Sequence, residues 1–571
     1  MDSTPTPTLC PDCATWKPRP LPDRPQVNRV HDILRSNTHP LDTSHFRSAI
    51  SYAAPELARY DSEIERLENG LARMVAARAA LQSYIDTCRS IFAPVRRLPV
   101  ELLVEIFAMS FTSNAEELTE NDTPAGEMDR ISKKYLLQLS QVCSHWHVVV
   151  MSTARLWSTI SLDATLWPAC PTTTANLLGR LTTSLARGGN HPLTLEIGLD
   201  NGSDPNESLV MEALAQHSWR WRNVYLWIDL ESLKCLSNAK GNLPLLDYLC
   251  ITGVGQPGTA ADVFATAPRL KSVIFEGEVI HMPHFPWEQL EHFRYITDGL
   301  QSGLHAPLAL MTRMHHDRAP KFTLSVHVED IDISIEVPPL VADVHHFSLE
   351  LLGMQSRFLA PQLLGIIFKA LTLPRLHVIT IDRDWESPAP VWDNTHFLPF
   401  AARSSLHDNL AELEVHFEMS DAELLECLAV LPMLTSLIIS DCGGTEHHAV
   451  VTDNLLRRLT RTDDPNTYLV PRLNFFSVTS ILTYTDDVYW SFLASRVLRD
   501  GWPVEWFLGF LGKPFQACIW WLARVPRERE ISGEFLSRVA SLVGANIVGF
   551  QAGQDPAEPP LVETSLDPDS P

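Results

Sequence analysis

The chain has 571 residues, more than a single hydrophobic core normally holds, so two or more domains are expected. Apolar residues make up 45% of it, with 15 Trp and 23 Phe, enough to fill a sizeable core. Against 69 acidic residues stand only 45 basic ones, and the net charge of −24 argues against nucleic acid or an anionic membrane as a partner.

Met1 to Asp32 is rich in proline and lacks the apolar core of a secretory signal, so residues 1–45 are expected to be a disordered tail. Within it Cys10 and Cys13 have the CxxC spacing used for zinc and for redox chemistry. A structural zinc needs four ligands, and no second such pair exists, so no metal and no cofactor is expected. The ten cysteines are scattered through apolar segments, as free thiols are in a cytoplasmic or nuclear protein. The late apolar stretch Trp506 to Ala523 is interrupted by Lys513-Pro514 and is too short to span a bilayer.

Residues 46–93 carry heptads. Leu57, Ile64, Leu71 and Ile85 fall on one position, and Tyr60, Leu67, Met74, Leu81 and Cys88 on the other. This a/d seam is long enough for a coiled coil, with Arg78 breaking one a position. The segment 55–88 either self-associates, pairs with a partner, or docks on its own chain; the pattern leaves all three open.

Next comes Leu98-Pro99, then Glu101-Leu102-Leu103 and Ile106-Phe107, all suited to the first turns of a helix with one apolar face. Val142-Cys143 and Trp146 follow on a second helical stripe, and Leu156-Trp157 closes the block. This order of motifs over residues 94–160 resembles the F-box, with residues 110–130 as an acidic inserted loop where a compact F-box has a short connection. The resemblance implies docking on the Skp adaptor and, through it, on a cullin. It assigns Leu98, Pro99, Leu102, Ile106 and Phe107 to the adaptor face. Val142, Cys143, Trp146, Leu156 and Trp157 divide between that face and the interior.

Residues 190–550 change to a period of two. Pro192 to Ile197 alternates as a half-buried strand does. From Trp221 onward an apolar residue, two spacers, an apolar residue, one spacer and a third apolar residue keep returning. The units are Trp221/Val224/Leu226, Leu246/Leu249/Ile251, Leu270/Val273/Phe275, Leu290/Phe293/Tyr295 and Val344/Phe347/Leu349. They continue as Leu376/Ile379/Ile381, Leu410/Leu413/Val415, Leu434/Leu437/Ile439 and Leu473/Phe476/Val478. Pro244, Pro268, Pro374, Pro432 and Pro471 each stand two residues ahead of a unit. The spacing predicts a degenerate leucine-rich-repeat solenoid with a C-terminal cap, or else an irregular sheet; its lone spacers Cys250, Ile274, Arg294 and Ile438 belong to the open face. Residues 551–571 read as a disordered acidic tail.

Hydrolase, nucleotide-binding and metalloprotease motifs are missing from the sequence, and catalysis is not expected. The fold class is therefore a long N-terminal helix and a helical F-box followed by an α/β repeat. This arrangement is similar to the large family of F-box proteins in mushroom-forming fungi. It implies a substrate-recognition subunit of an SCF-type ubiquitin ligase that holds a target protein through its repeats. The alternative is a coiled-coil and leucine-rich-repeat scaffold that works without ubiquitin.

Overall fold

A computed structural model describes residues 24–36, 43–116, 133–163 and, with gaps in the loops, 171–497, plus the strands at 515–521 and 548–554. Two compact units divide the chain between Pro99 and Val100. The pair Cys10/Cys13, most of the acidic insert and the tail beyond Gln554 lie outside the described residues. Among those residues, no helix is long and apolar enough to cross a membrane.

The first unit contains α1 (Arg24–Ser36) and α2 (Ser44–Ile91). Helix α1 corrects the expectation of disorder throughout 1–45. Pro25 falls in its first turn, where a missing N–H costs nothing, and no proline follows before its end at Ser36. Helix α2 runs for 48 residues, about 72 Å at 1.5 Å per residue. Its composition is dominated by Ala, Leu, Glu and Arg, all strong helix formers. Pairs one turn apart reinforce it: Arg59 with Glu56 at 2.8 Å and Arg66 with Glu63 at 2.7 Å. None of its residues is buried.

The second unit opens with three short helices, α3 (Val100–Glu116), α4 (Lys133–Ser140) and α5 (Ser144–Ser152). Helix α3 continues into the segment expected to be an inserted loop, because neither Gly nor Pro occurs between Val100 and Glu116 to stop it.

A sheet then runs to the end of the described chain. Its strands are β1 (Thr159–Asp163), β2 (Leu193–Gly198), β3 (Trp221–Asp229), β4 (Tyr248–Val254), β5 (Ser272–Glu276), β6 (His292–Ile296) and β7 (Lys321–His327). After the short β8 (Leu340–Val341) come β9 (His346–Leu352), the short β10 (Leu371–Thr372), β11 (Val378–Arg383), β12 (Glu412–Val415), β13 (Ser436–Ser440), β14 (Phe475–Thr479), β15 (Phe515–Trp521) and β16 (Val548–Gln554). Fourteen of them form one sheet in sequence order, with β8 and β10 paired separately. Neighbours pair in parallel throughout, for example Leu249 with Val273, Val273 with Phe293 and Leu437 with Phe476. Among the described residues, helices and 3-10 turns occupy most of the links between successive strands, such as Pro205–Ala215 between β2 and β3 and Asp421–Ala429 between β12 and β13, as parallel pairing requires.

The repeated apolar positions form the interior of this sheet. Every one of them, from Trp221/Val224/Leu226 to Leu473/Phe476/Val478, is at most 3% exposed. They line up across strands into rows such as Leu195, Val224, Leu249, Val273, Phe293 and Phe322. The prolines ahead of the units have a definite job. The N–H of Leu270, Leu376, Leu434 and Leu473 each donates to the carbonyl three residues earlier, which puts Pro268, Pro374, Pro432 and Pro471 second in a tight turn. Proline's fixed φ suits that place.

The units named from Trp221 onward fall on β3–β6, β9 and β11–β14, so in this sheet β1, β2, β7, β15 and β16 lie outside them. The sheet begins at β1, inside the F-box-resembling block, where Thr159 to Asp163 pairs with Thr194 to Gly198. In β7 the pattern fails because its first position is Ala319, at φ 49°, where other units have a large apolar residue.

Candidate adaptor face and open sheet face

The three short helices and the 3-10 turn Ala154–Trp157 share a small core. On α3, Leu103 and Phe107 point inward at 1% and 2% exposure, joined by Leu136, Val149, Val150, Leu156 and Trp157. Phe107 meets Trp146 edge-on at 4.9 Å between centroids. The Trp157 indole N–H donates to the Val150 carbonyl at 2.8 Å, and the Arg187 guanidinium lies 4.4 Å from its ring. Cys143 caps α5: its sulfur accepts from the Trp146 backbone N–H at 3.4 Å.

The other stripe of α3 faces solvent. Leu102 is 51% exposed, Ile106 45% and Met109 66%, spaced i, i+4 and i+7, and Val142 beyond α4 is 61% exposed. Arg155 forks onto the Glu105 carboxylate, holding that carboxyl below its usual range through this hydrogen bond. Ten residues came from the sequence as adaptor-face candidates, and the structure sorts them. Leu102, Ile106 and Val142 are exposed. Phe107, expected on the face, is instead buried with Leu156 and Trp157, because the helix turns its 103/107 stripe toward α5. Cys143 and Trp146 are half-buried and structural. Leu98 is half-buried and Pro99 exposed at the end of the first unit, after the 3-10 turn Pro94–Arg97.

The sheet turns one face to its covering helices and leaves the other open. The lone spacers Cys250, Ile274, Arg294 and Ile438 are all half-buried on that open face, between the buried rows. The four do not form one dry patch, as their apolar character suggests. Register places Tyr225, Cys250 and Ile274 side by side, followed by Arg294, Thr323, Ser348, Thr380 and Glu414 before Ile438. The apolar patch is therefore confined to β3–β5, where Tyr225 lies 5.0 Å from Tyr248 and stacks with Trp227 at 6.4 Å. Trp227 is 46% exposed, a large apolar area to leave in water.

The middle of the face is polar. Arg294 Nε donates to Ser325 Oγ at 2.9 Å, that hydroxyl donates to Glu350 at 2.7 Å, and Arg294 also pairs with Glu350 directly. His292 spans Ser272 Oγ at 3.4 Å and Thr323 Oγ1 at 3.2 Å. Burial, with the nearby Lys321 charge, pushes His292 and His346 each down to about 4, so both rings are neutral at pH 7. His416 lies between Glu414 at 3.3 Å and Asp382 at 3.4 Å, and its hydrogen bond lowers the Glu414 carboxyl. Burial raises the Cys250 thiol to about 11 and the Cys427 thiol to about 12, far from the thiolate that nucleophilic chemistry uses. No group of His, Cys, Asp and Glu among the described residues could hold a metal ion.

A family model described as F-box-like matches residues 95–163. That span includes α3, α4, α5, the closing Leu156-Trp157 and the first sheet strand. The chain carries an F-box-like domain. No curated protein matches the chain. The F-box-like domain thus ends inside the sheet: β1 is both its last segment and the strand on which β2 builds.

Proposed function

We propose that this protein is the substrate-receptor subunit of an SCF-type ubiquitin ligase. The F-box-like domain docks on the Skp adaptor and, through it, on a cullin. The sheet, read as a degenerate leucine-rich-repeat solenoid, holds the target. F-box domains generally bind the Skp adaptor within SCF complexes, and the exposed stripe Leu102, Ile106 and Met109 offers the apolar anchors such an interface needs. The observation that carries the reading is this stripe inside the matched domain. In this reading the chain performs no chemistry of its own. It raises the effective concentration of a target near the conjugating enzyme, in the cytoplasm or nucleus.

The open face of β3–β7 and β9–β14 is the proposed target surface. Tyr225, Trp227 and Tyr248 supply an aromatic anchor, and the Arg294–Glu350 and His416–Glu414–Asp382 groups supply polar selection next to it. Pull-down of the full chain from cells with the proteasome inhibited tests the reading. The Skp adaptor should co-purify, together with ubiquitin-modified proteins that Trp227→Ala fails to retain. A chain that purifies without the adaptor refutes it.

A further inference from the structure

Helix α2 leaves a continuous apolar seam in solvent. Leu57, Ile64, Leu67, Leu71, Met74, Leu81 and Ile85 are between 37% and 67% exposed on it. Its charges are not evenly spread. Residues 56–70 hold Glu56, Asp61, Glu63, Glu65 and Glu68 against Arg59 and Arg66, whereas residues 71–90 hold Arg73, Arg78 and Arg89 against Asp86. One end of the seam is acidic and the other basic.

We propose that α2 binds the α2 of a second copy of this chain, antiparallel, so that each acidic end lies on the other's basic end. This inference does not depend on the adaptor reading. A parallel, in-register pair would be opposed at several layers. With Leu57 and Ile64 at a positions, Glu56 and Glu63 are at g and Asp61 and Glu68 at e. Each g would then meet an acidic e residue of the other copy, and Arg78 would face Arg78 in the core. An antiparallel pair avoids all three conflicts. Opposing a with d gives the layers Leu57 with Cys88, Tyr60 with Ile85, Ile64 with Leu81, Leu67 with Arg78 and Leu71 with Met74. Arg78 then enters a hole formed by Ile64, Leu67, Glu68 and Leu71 of the second copy, with the Glu68 carboxylate at its rim. The residue that breaks the seam is the one that fixes direction and register.

The geometry has a consequence for the assembly. Ile91 lies opposite residue 54 of the other copy, so the two chains leave the helix pair about 55 Å apart at 1.5 Å per residue. In a parallel pair they would leave side by side.

Sedimentation equilibrium of the full-length chain tests the proposal through variants with opposite expected signs. Glu68→Arg should weaken the dimer at least tenfold, because it confronts Arg78 of the second copy. Adding Arg78→Glu should recover the wild-type constant. A parallel pair would respond oppositely, since Glu68→Arg would place a cation beside Glu63 and tighten it. Mild oxidation of Leu57→Cys, with mass-spectrometric mapping, gives an independent reading: position 57 should be joined to Cys88 of the second copy. Tightening by Glu68→Arg, no recovery in the double variant, a Cys88–Cys88 bridge, or a chain monomeric at every concentration each overturns the proposal.

Discussion

Replacing Leu102, Ile106 and Val142 together with alanine separates binding from folding. The three side chains are 51%, 45% and 61% exposed, so in the free protein only about half of each contributes to the core. Fully burying such a side chain contributes about 2 kcal/mol, so covering the exposed half gains about 1 kcal/mol each. The triple variant should thus lose about 3 kcal/mol of adaptor affinity, roughly a hundredfold in Kd. Calorimetric titration with the purified Skp adaptor measures that loss, and a thermal scan of the same sample reports folding. Phe107→Ala is the paired control. At 2% exposure it should lose about 3–5 kcal/mol of stability, unfolding the helical core before it changes any surface contact. Unchanged adaptor affinity in the triple variant refutes the assigned face. Any one of the three changes made alone that lowers the melting point as much as Phe107→Ala refutes the placement of the stripe in solvent.

Ile274→Glu or Ile438→Glu should abolish target capture with little change in melting temperature, since both side chains lie on the open face; unfolding by either would place them in the core. His292 and His346 titrate near 4 when folded and near 6.5 when unfolded, so the unfolded chain takes up protons first. Their contribution is complete above about pH 6.5 and is lost as pH falls toward 4, on the order of 1 kcal/mol each after allowing for solvent screening of half-buried rings. Denaturant melts at pH 7 and pH 5 should differ by less in a His292→Gln, His346→Gln variant, and an equal difference contradicts the assignment. Arg496 donates to the Leu459 carbonyl at 3.1 Å and to the Val470 carbonyl at 2.8 Å while only 5% exposed. Arg496→Leu should cost roughly 2–4 kcal/mol by orphaning those carbonyls, and an unchanged denaturation midpoint contradicts that.

What the sequence discloses depends on whether a short apolar signature keeps its spacing. In the sheet region the rule of two spacers and then one names interior positions, because strand alternation forces residues such as Leu249 and Ile251 to the same side. It fails at β7, where Ala319 replaces the first large residue, whereas β1 keeps the spacing in the buried Trp157, Ile160 and Leu162. The F-box-like motifs are visible for the same reason, yet the face of α3 is not. Leu102/Ile106 and Leu103/Phe107 are adjacent stripes of equal apolarity, and only the position of α5 and Trp146 decides that the second is buried. The polar network of the open face is invisible in one dimension, since Arg294 and Glu350 are 56 residues apart and meet only through parallel register. The helix at Arg24–Ser36 was hidden by the prolines around it.

Size-exclusion chromatography of the full chain mixed with purified Skp adaptor and cullin decides whether the F-box-like domain is a docking module. All three should co-elute, and replacing Leu102, Ile106 and Val142 by alanine should release the adaptor and cullin together. Adaptor and cullin eluting as their own complex, with the wild-type chain apart from them, would contradict that role.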